Sequence, residues 1–223
     1  MDRLIQLRTG YVTGKEKIMT EKSIQELAEE ITQREWKMFH NTQNIGGQAS
    51  CQNDRETFEI MRKSQWETCN IAVLNSYLAD LISAETAGYN LLTEKYARMM
   101  EYTMPEEYEK IKDKLPKISD IKQETTEKIL KEYLPWRKEV NKKYPKLSNE
   151  GRPLGKNDDT EEVTSVETYY RGELLTYSEG TLELYYSYIL DCIRAGRNLV
   201  RDNLENMVKM YGYGSLEDAE KKL

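Results

Sequence analysis

The sequence predicts an all-α fold, a single helical-bundle domain with a duplicated, pseudo-symmetric helical unit, and three observations carry that expectation. Apolar residues recur at three- and four-residue spacing along most of the chain, which is the period of a helix face. With 12 Gly and 5 Pro in 223 residues, the chain is poor in the residues that a sheet protein needs for its many tight turns. Strings of residues 54–102 return in the same order over 165–211. The length suits one well-buried core, or at most two small ones.

Residues 1–20 have weak periodicity and read as a lead-in to a domain spanning 21–223. Ser23 and Glu26 form a capping box, in which hydroxyl and carboxylate each satisfy a free amide. Ile24, Leu27, Ile31, Met38 and Phe39 then mark one face of a helix ending near Asn41. Residues 44–53 are small, polar and Gly-paired, hence loop. Asp54 suits the N-cap of a helix whose stripe is Phe58, Met61 and Gln65. Ile71, Leu74, Leu78, Leu81 and Ile82 mark the next helix, interrupted at Ala87-Gly88, and Leu91, Leu92, Tyr96, Met99 and Met100 the one after. Pro105 fits the first turn of a short helix to Leu115. Another runs from Ser119 towards Tyr144, kinked or broken at Pro135. Residues 146–164 read as a long connecting loop, after which helices resume at Ser165, Glu179 and Arg197, with a short one after Ser215.

The duplication is read from collinear matches. Glu56-Thr57-Phe58 falls on Glu167-Thr168-Tyr169, and Ser76-Tyr77-Leu78-Ala79-Asp80 on Ser187-Tyr188-Ile189-Leu190-Asp191. After a three-residue deletion, Ala87-Gly88-Tyr89-Asn90 meets Ala195-Gly196-Arg197-Asn198, and Met99 meets Met207. In this register Glu173 occupies the Arg62 position. That exchange of charge would let the two meet between the copies, within a screening distance of ~8 Å. Gly88 and Gly196 are expected to end helices, and Asn90 and Asn198 to cap the ones that follow.

Composition removes several classes of function. A net charge of −6 argues against a phosphate-tracking surface, so nucleic acid is not an expected partner. No stretch approaches a membrane span or a signal core. Three cysteines give no disulfide framework, which suits a reducing, cytoplasmic home. The one histidine rules out an imidazole-rich metal site, a carboxylate-only site stays open, and neither a resident metal nor a cofactor is expected.

Chemistry is sought first in the loop before Asp54. Gly46 and Gly47, after Asn44, permit close backbone approach, and Ser50, Cys51 and Gln52 stand just ahead of a helix N-terminus that favours an anion or thiolate. The plainer reading is a tight turn with a small buried Cys. Arg62 and Gln65 could clamp a carboxylate or phosphate, or Arg62 could pair with Asp80 or Asp191 between the copies. Asp80 and Asp191 could share a proton or a metal, the commoner duties being helix capping or a salt bridge. Arg34 and His40 on one helix resemble the ribonucleolytic pair of HEPN-type domains, a weak signal.

Longer strings then add up to a family. Trp36-x-Met38-Phe39, Asn44-x-Gly46-Gly47-x-Ala49-x-Cys51-Gln52-x-Asp54 and Phe58-x-Ile60-Met61-Arg62-x-Ser64-Gln65 resemble an uncharacterised bacterial domain-of-unknown-function family, number 4125. So do Ser76-Tyr77-x-x-Asp80-Leu81, Lys95-Tyr96-Ala97-x-Met99-Met100, Gly151-Arg152-Pro153, and Thr164-Ser165-x-Glu167-Thr168-Tyr169 leading into Gly172-Glu173-Leu174-x-Thr176-Tyr177-Ser178. The resemblance covers residues 20–215. It implies no activity, and it implies that some members are joined to a nucleotidyltransferase-like domain. This chain has Gln48 and Tyr89 where the resemblance leads one to expect Arg.

Within these strings polar residues are unusually dense for a structural bundle. The expected function is therefore binding or transformation of a small polar, anionic molecule in the cleft between the repeats. Cys51, Asp54, Glu173 and Tyr177 are the catalytic candidates. Asn44, Gly46, Gly47, Gln52, Arg62, Gln65, Asp80, Lys95 and Arg152 are the ligand-binding ones. The alternatives are a non-catalytic module that partners a nucleotidyltransferase-like domain and, remotely, a helical ribonuclease or toxin-like protein. Convergence of Cys51, Arg62, Gln65, Arg152 and Glu173 on one accessible pocket would favour the first; burial in mutual pairs would favour the second.

Overall fold

A computed structural model describes residues 22–42, 47, 49–149 and 151–223. Among these lie eleven α-helices, three short 3-10 turns and no strand. The helices are α1 (Ile24–His40), α2 (Arg55–Trp66), α3 (Ile71–Thr86), α4 (Leu91–Thr103), α5 (Pro105–Ile111) and α6 (Asp120–Lys143), then α7 (Pro145–Asn149), α8 (Val166–Leu174), α9 (Glu179–Arg194), α10 (Leu199–Met210) and α11 (Leu216–Lys222). The expected lead-in, and Asn44 and Gly46 of the expected loop site, lie outside the described residues.

The ends of the helices follow from their capping chemistry. Both halves of the Ser23/Glu26 capping box form, Asp54 accepts from the Thr57 amide, and Pro105 opens α5. Gly88 and Gly196 both take φ +67°, a left-handed conformation that closes α3 and α9 without a Cβ penalty. The turns are closed alike, by Tyr89 N–H donating to Ala84 O and Arg197 N–H to Cys192 O, each at 2.8 Å. Asn90 and Asn198 then cap α4 and α10.

Three expectations are corrected. Pro135 does not break its helix: α6 runs unbroken for 24 residues. Tyr133 and Trp136, flanking the proline, pack against both core clusters, and that burial offsets the lost backbone hydrogen bond. Residues 146–164 are not all loop, since they hold most of α7 and a 3-10 turn at Lys156–Asp158. The inward face of α2 is not the Phe58–Met61–Gln65 stripe. Met61 is half exposed, at 50%, whereas Arg62 and Trp66, a turn apart, are buried.

The larger cluster gathers α1 to α4, α6 and α8 to α10 around Ile31, Trp66, Leu74, Tyr77, Leu81, Ile129, Leu174 and Leu182, all at most 1% exposed. Full burial of each such side chain contributes about 1.5–3 kcal/mol. A smaller cluster joins α6, α10 and α11 around Val140, Tyr144, Val208 and Leu216.

The packing has a reciprocal pattern. Helix α4 packs on α8 as α10 packs on α2, and α3 packs on α9 between them. Helix α1 lies against α2, α3 and α4, and α6 lies against α8, α9 and α10. Exchanging α1–α4 for α6, α8, α9 and α10 therefore maps each of these contacts onto another. The buried positions of α1 (Leu27, Ala28, Ile31) and α6 (Thr125, Thr126, Ile129) share one spacing. Asn90 donates from its side chain to Met38 O, and Asn198 donates likewise to Trp136 O. Among the described residues no helix is long and apolar enough to cross a membrane.

Candidate functional site

Where α1, α2, α4 and α8 meet, the core contains a cluster of charged groups. Arg62 reaches inward from α2 and bridges two carboxylates. Its Nε donates to Glu35 Oε2 at 2.8 Å and its Nη2 to Glu35 Oε1 at 2.5 Å. Nη1 and Nη2 also donate to Glu173, each at 3.1 Å, and Nη1 to Gln65 Oε1 at 2.9 Å. All five N–H groups of the guanidinium are thus engaged within the chain. The expected meeting of Arg62 with Glu173 is realised, and the pairing of Arg62 with Asp80 or Asp191 is not.

Each carboxylate has further donors. Glu35 accepts from Trp66 Nε1 at 3.0 Å and Tyr77 Oη at 2.9 Å. Glu173 accepts from Gln65 Nε2 at 3.0 Å, Tyr177 Oη at 2.9 Å and Lys95 Nζ at 2.6 Å. Burial alone would raise the Glu173 carboxyl, but Arg62 and Lys95 overcome it and hold it well below the usual carboxylate range. Tyr177 is pushed up, by burial first and Glu173 second, so it stays a phenol that donates inward. Gly172 makes the cluster sterically possible. A Cβ there would stand 2.9 Å from Lys95 O and 3.0 Å from Met99 Cγ, so only glycine lets α8 sit this close to α4.

Outward of these pairs lies Tyr169, half-buried and one helical turn before Glu173. Lys95 Nζ stands 3.5 Å from its ring centroid and Arg152 Cζ 4.6 Å. Burial and the Glu173 carboxylate would raise the Tyr169 phenol, but Lys95, helped by Arg62, outweighs them and leaves it below the ordinary tyrosine value. Arg152 is exposed, donates to Thr164 O at 3.1 Å and makes no ion pair among the described residues. Glu35, Arg62, Lys95, Glu173 and Tyr169, with Phe58, Tyr96 and Leu92 on the apolar side, enclose a cavity of ≈ 10 Å³. That is the space one water occupies.

The other candidates do not line this cavity, although the Cys51 thiol is close enough to act electrostatically on Tyr96 at its apolar side. Gln52 is buried and ties its turn to the end of α1, donating to Phe39 O and Thr42 O at 2.8 Å each. Cys51 is exposed on that turn, Asp54 is spent on capping α2, and Gly47 takes φ +100°. Asp80 caps α9 from outside, accepting from Ser178 N at 3.0 Å and Thr181 Oγ1 at 2.7 Å. Arg34 is held between Glu30 and Glu85, and His40 Nδ1 lies 3.0 Å from Gln52 O, so the two do not share a basic groove. Among the described residues no group of three His, Cys, Asp or Glu is placed to hold a metal ion.

Sequence reasoning missed Glu35 and Tyr169. The signal for Glu35 was its place on the α1 stripe, four residues after Ile31 and three before Met38, where an acid must find partners. Tyr169 stood in a family-like string, four residues before Glu173 on the same helix face.

Over residues 25–221 the chain matches the family described as "Protein of unknown function (DUF4125)", and it belongs to that family. No curated protein and no solved structure matches it.

Proposed function

We propose that this member of the family binds a small anionic molecule at the mouth of the Arg62–Glu173 cavity, against Tyr169, Lys95 and Arg152. The observation that carries the reading is the charge balance there. Glu35 and Glu173 are matched by Arg62 and Lys95, so Arg152 adds a positive charge that no described carboxylate neutralises. An exposed guanidinium stacked on a phenol, with N–H groups in a fixed fork, suits a carboxylate or phosphate. Arg62 then supports the site from below instead of clamping the ligand. Cys51, Asp54 and Gln52 take no part in this form of the proposal.

A thermal-shift panel of phosphorylated metabolites, nucleotides and amino acids tests it. A bound anion raises the melting temperature by mass action, and the rise is expected to vanish in Arg152→Ala. If no anion shifts the wild type, the reading fails. The complete mutual engagement of Arg62, Gln65 and Glu173 favours a second reading, a non-catalytic helical module. Its partner, on our proposal, is a nucleotidyltransferase-like domain of another chain. A co-purifying domain of that kind, with no small-molecule response, would support it.

We also propose that the two sets of four helices arose by duplication of one unit. The repeated turns at Gly88 and Gly196 and the reciprocal packing support it. If α3 and α9, carrying Asp80 and Asp191, diverge when α1–α4 is overlaid on α6, α8, α9 and α10, the proposal fails.

A further inference from the structure

We propose that Tyr169 is the proton-transfer residue of this cavity, acting on a ligand that carries an anionic group for Arg152 and a hydroxyl, carbonyl or enol oxygen at the phenol. This rests on the anion-site reading and deepens it. In the forward step the Oη–H bond of Tyr169 breaks and an O–H bond forms on the ligand, leaving a phenolate beside Lys95; the reverse step returns the proton. No oxidant or further reactant is needed.

The arrangement suits that step. Tyr169 is half-buried, at the border between the enclosed cluster and the surface, and lines the cavity beside Lys95. Lys95 and Tyr96 face it from α4, Arg62 from α2, Glu173 from its own helix and Arg152 from the connection before α8. With Glu35 from α1 on the far side of Arg62, three cations stand against two carboxylates, so the net positive charge that meets a phenolate is the one Arg152 adds. Tyr77 and Tyr177 have the opposite balance: burial first, with the neighbouring carboxylates Glu35 and Glu173, raises both. Tyr177 and Tyr77 moreover spend their hydroxyls on Glu173 and Glu35. Tyr169 is therefore set apart from the two phenols that are tied to the buried carboxylates.

The test is an NMR titration of ligand-free protein labelled at tyrosine Cζ, with the fold followed by circular dichroism. One resonance is expected to titrate ahead of the others and to be missing in Tyr169→Phe. In Lys95→Met it should move up by about 1–3 pH units, the effect of removing one adjacent charge. Arg152→Ala, at an exposed position, should move it the same way by less, and serves if Lys95→Met does not fold. Saturating inorganic phosphate should also raise the transition, because a bound anion opposes the phenolate. A first-titrating resonance that survives in Tyr169→Phe overturns the assignment. So does a Tyr169 that titrates with the remaining tyrosines. An early Tyr169 that phosphate leaves unmoved, with no anion giving a thermal shift, overturns the site reading instead.

Discussion

Helices α1–α4 and the set α6, α8, α9 and α10 meet their neighbours in the same pattern, yet their interiors are chemically unlike. In the first set the inward positions hold Glu35 on α1, Arg62 on α2 and Lys95 on α4. In the second, the corresponding positions hold Tyr133, Glu173 and Asn203. Glu173 leaves its own corner and completes the cluster of the first set, while Tyr133 packs on Tyr170 with ring centroids 4.1 Å apart. Among the residues that agree between the sets, Gly88 and Gly196 end helices and Asn90 and Asn198 cap the next ones. Those that differ put the linked charges Glu35, Arg62, Lys95 and Glu173 into one corner. Buried ion pairs add little net stability and are costly when half removed, so a cluster confined to one of two otherwise parallel corners reads as a functional investment.

The comparison breaks first at Glu35. Replacing it with alanine leaves Arg62 with an unmatched donor set inside the core and is expected to cost about 3–5 kcal/mol, read from urea midpoints. Tyr133→Phe at the matching place should cost far less, since no charge is stranded.

The pH dependence of stability sharpens the same point. The Glu173 carboxyl is lowered in the folded state, so its contribution is present above the ordinary carboxylate value. It is lost as pH falls through the folded one. Wild-type melting temperature should therefore drop as pH goes below about 4.3. Glu173→Gln should melt lower at neutral pH and show a shallower acid limb; a limb as steep as the wild type's would show that the acid loss comes from other carboxylates.

Gly172 and Met61 occupy matching places on α8 and α2, with opposite environments. Gly172→Ala must push α8 off α4 and should cost about 1–3 kcal/mol by overpacking. Met61→Ala, at a half-exposed position, should stay within about 0.5 kcal/mol. The smallest contrast is between the two matched aspartates. Asp80→Ala removes a cap of α9 and should cost about 1 kcal/mol. Asp191 only pairs with Arg194 at the surface, and its removal should be nearly silent.

These pairs also show what could be read in the sequence. Capping residues act over three or four positions, so Ser23, Asp54, Asn90 and Asn198 were legible, as were the glycines that end α3 and α9. The encounter of Arg62 with Glu173 was legible because the repeat alignment set opposite charges at one position. Glu35 was not, since a single acid on an apolar stripe does not say which distant arginine will meet it. The polar inward face of α2 was missed because Met61 outweighs Arg62 in any pattern read by hydrophobicity. The role of Gly172 lay in a close approach between helices far apart in the chain. Local spacing carries no record of that.

The most direct test of an anion site confined to the charged corner is calorimetric. The anion with the largest thermal shift would be titrated into wild type, Arg152→Ala and Asp191→Ala. Loss of a charge-assisted contact should weaken Arg152→Ala about tenfold or more, with Asp191→Ala binding as wild type does. Equal affinity in all three proteins, or no heat in any, would contradict the account.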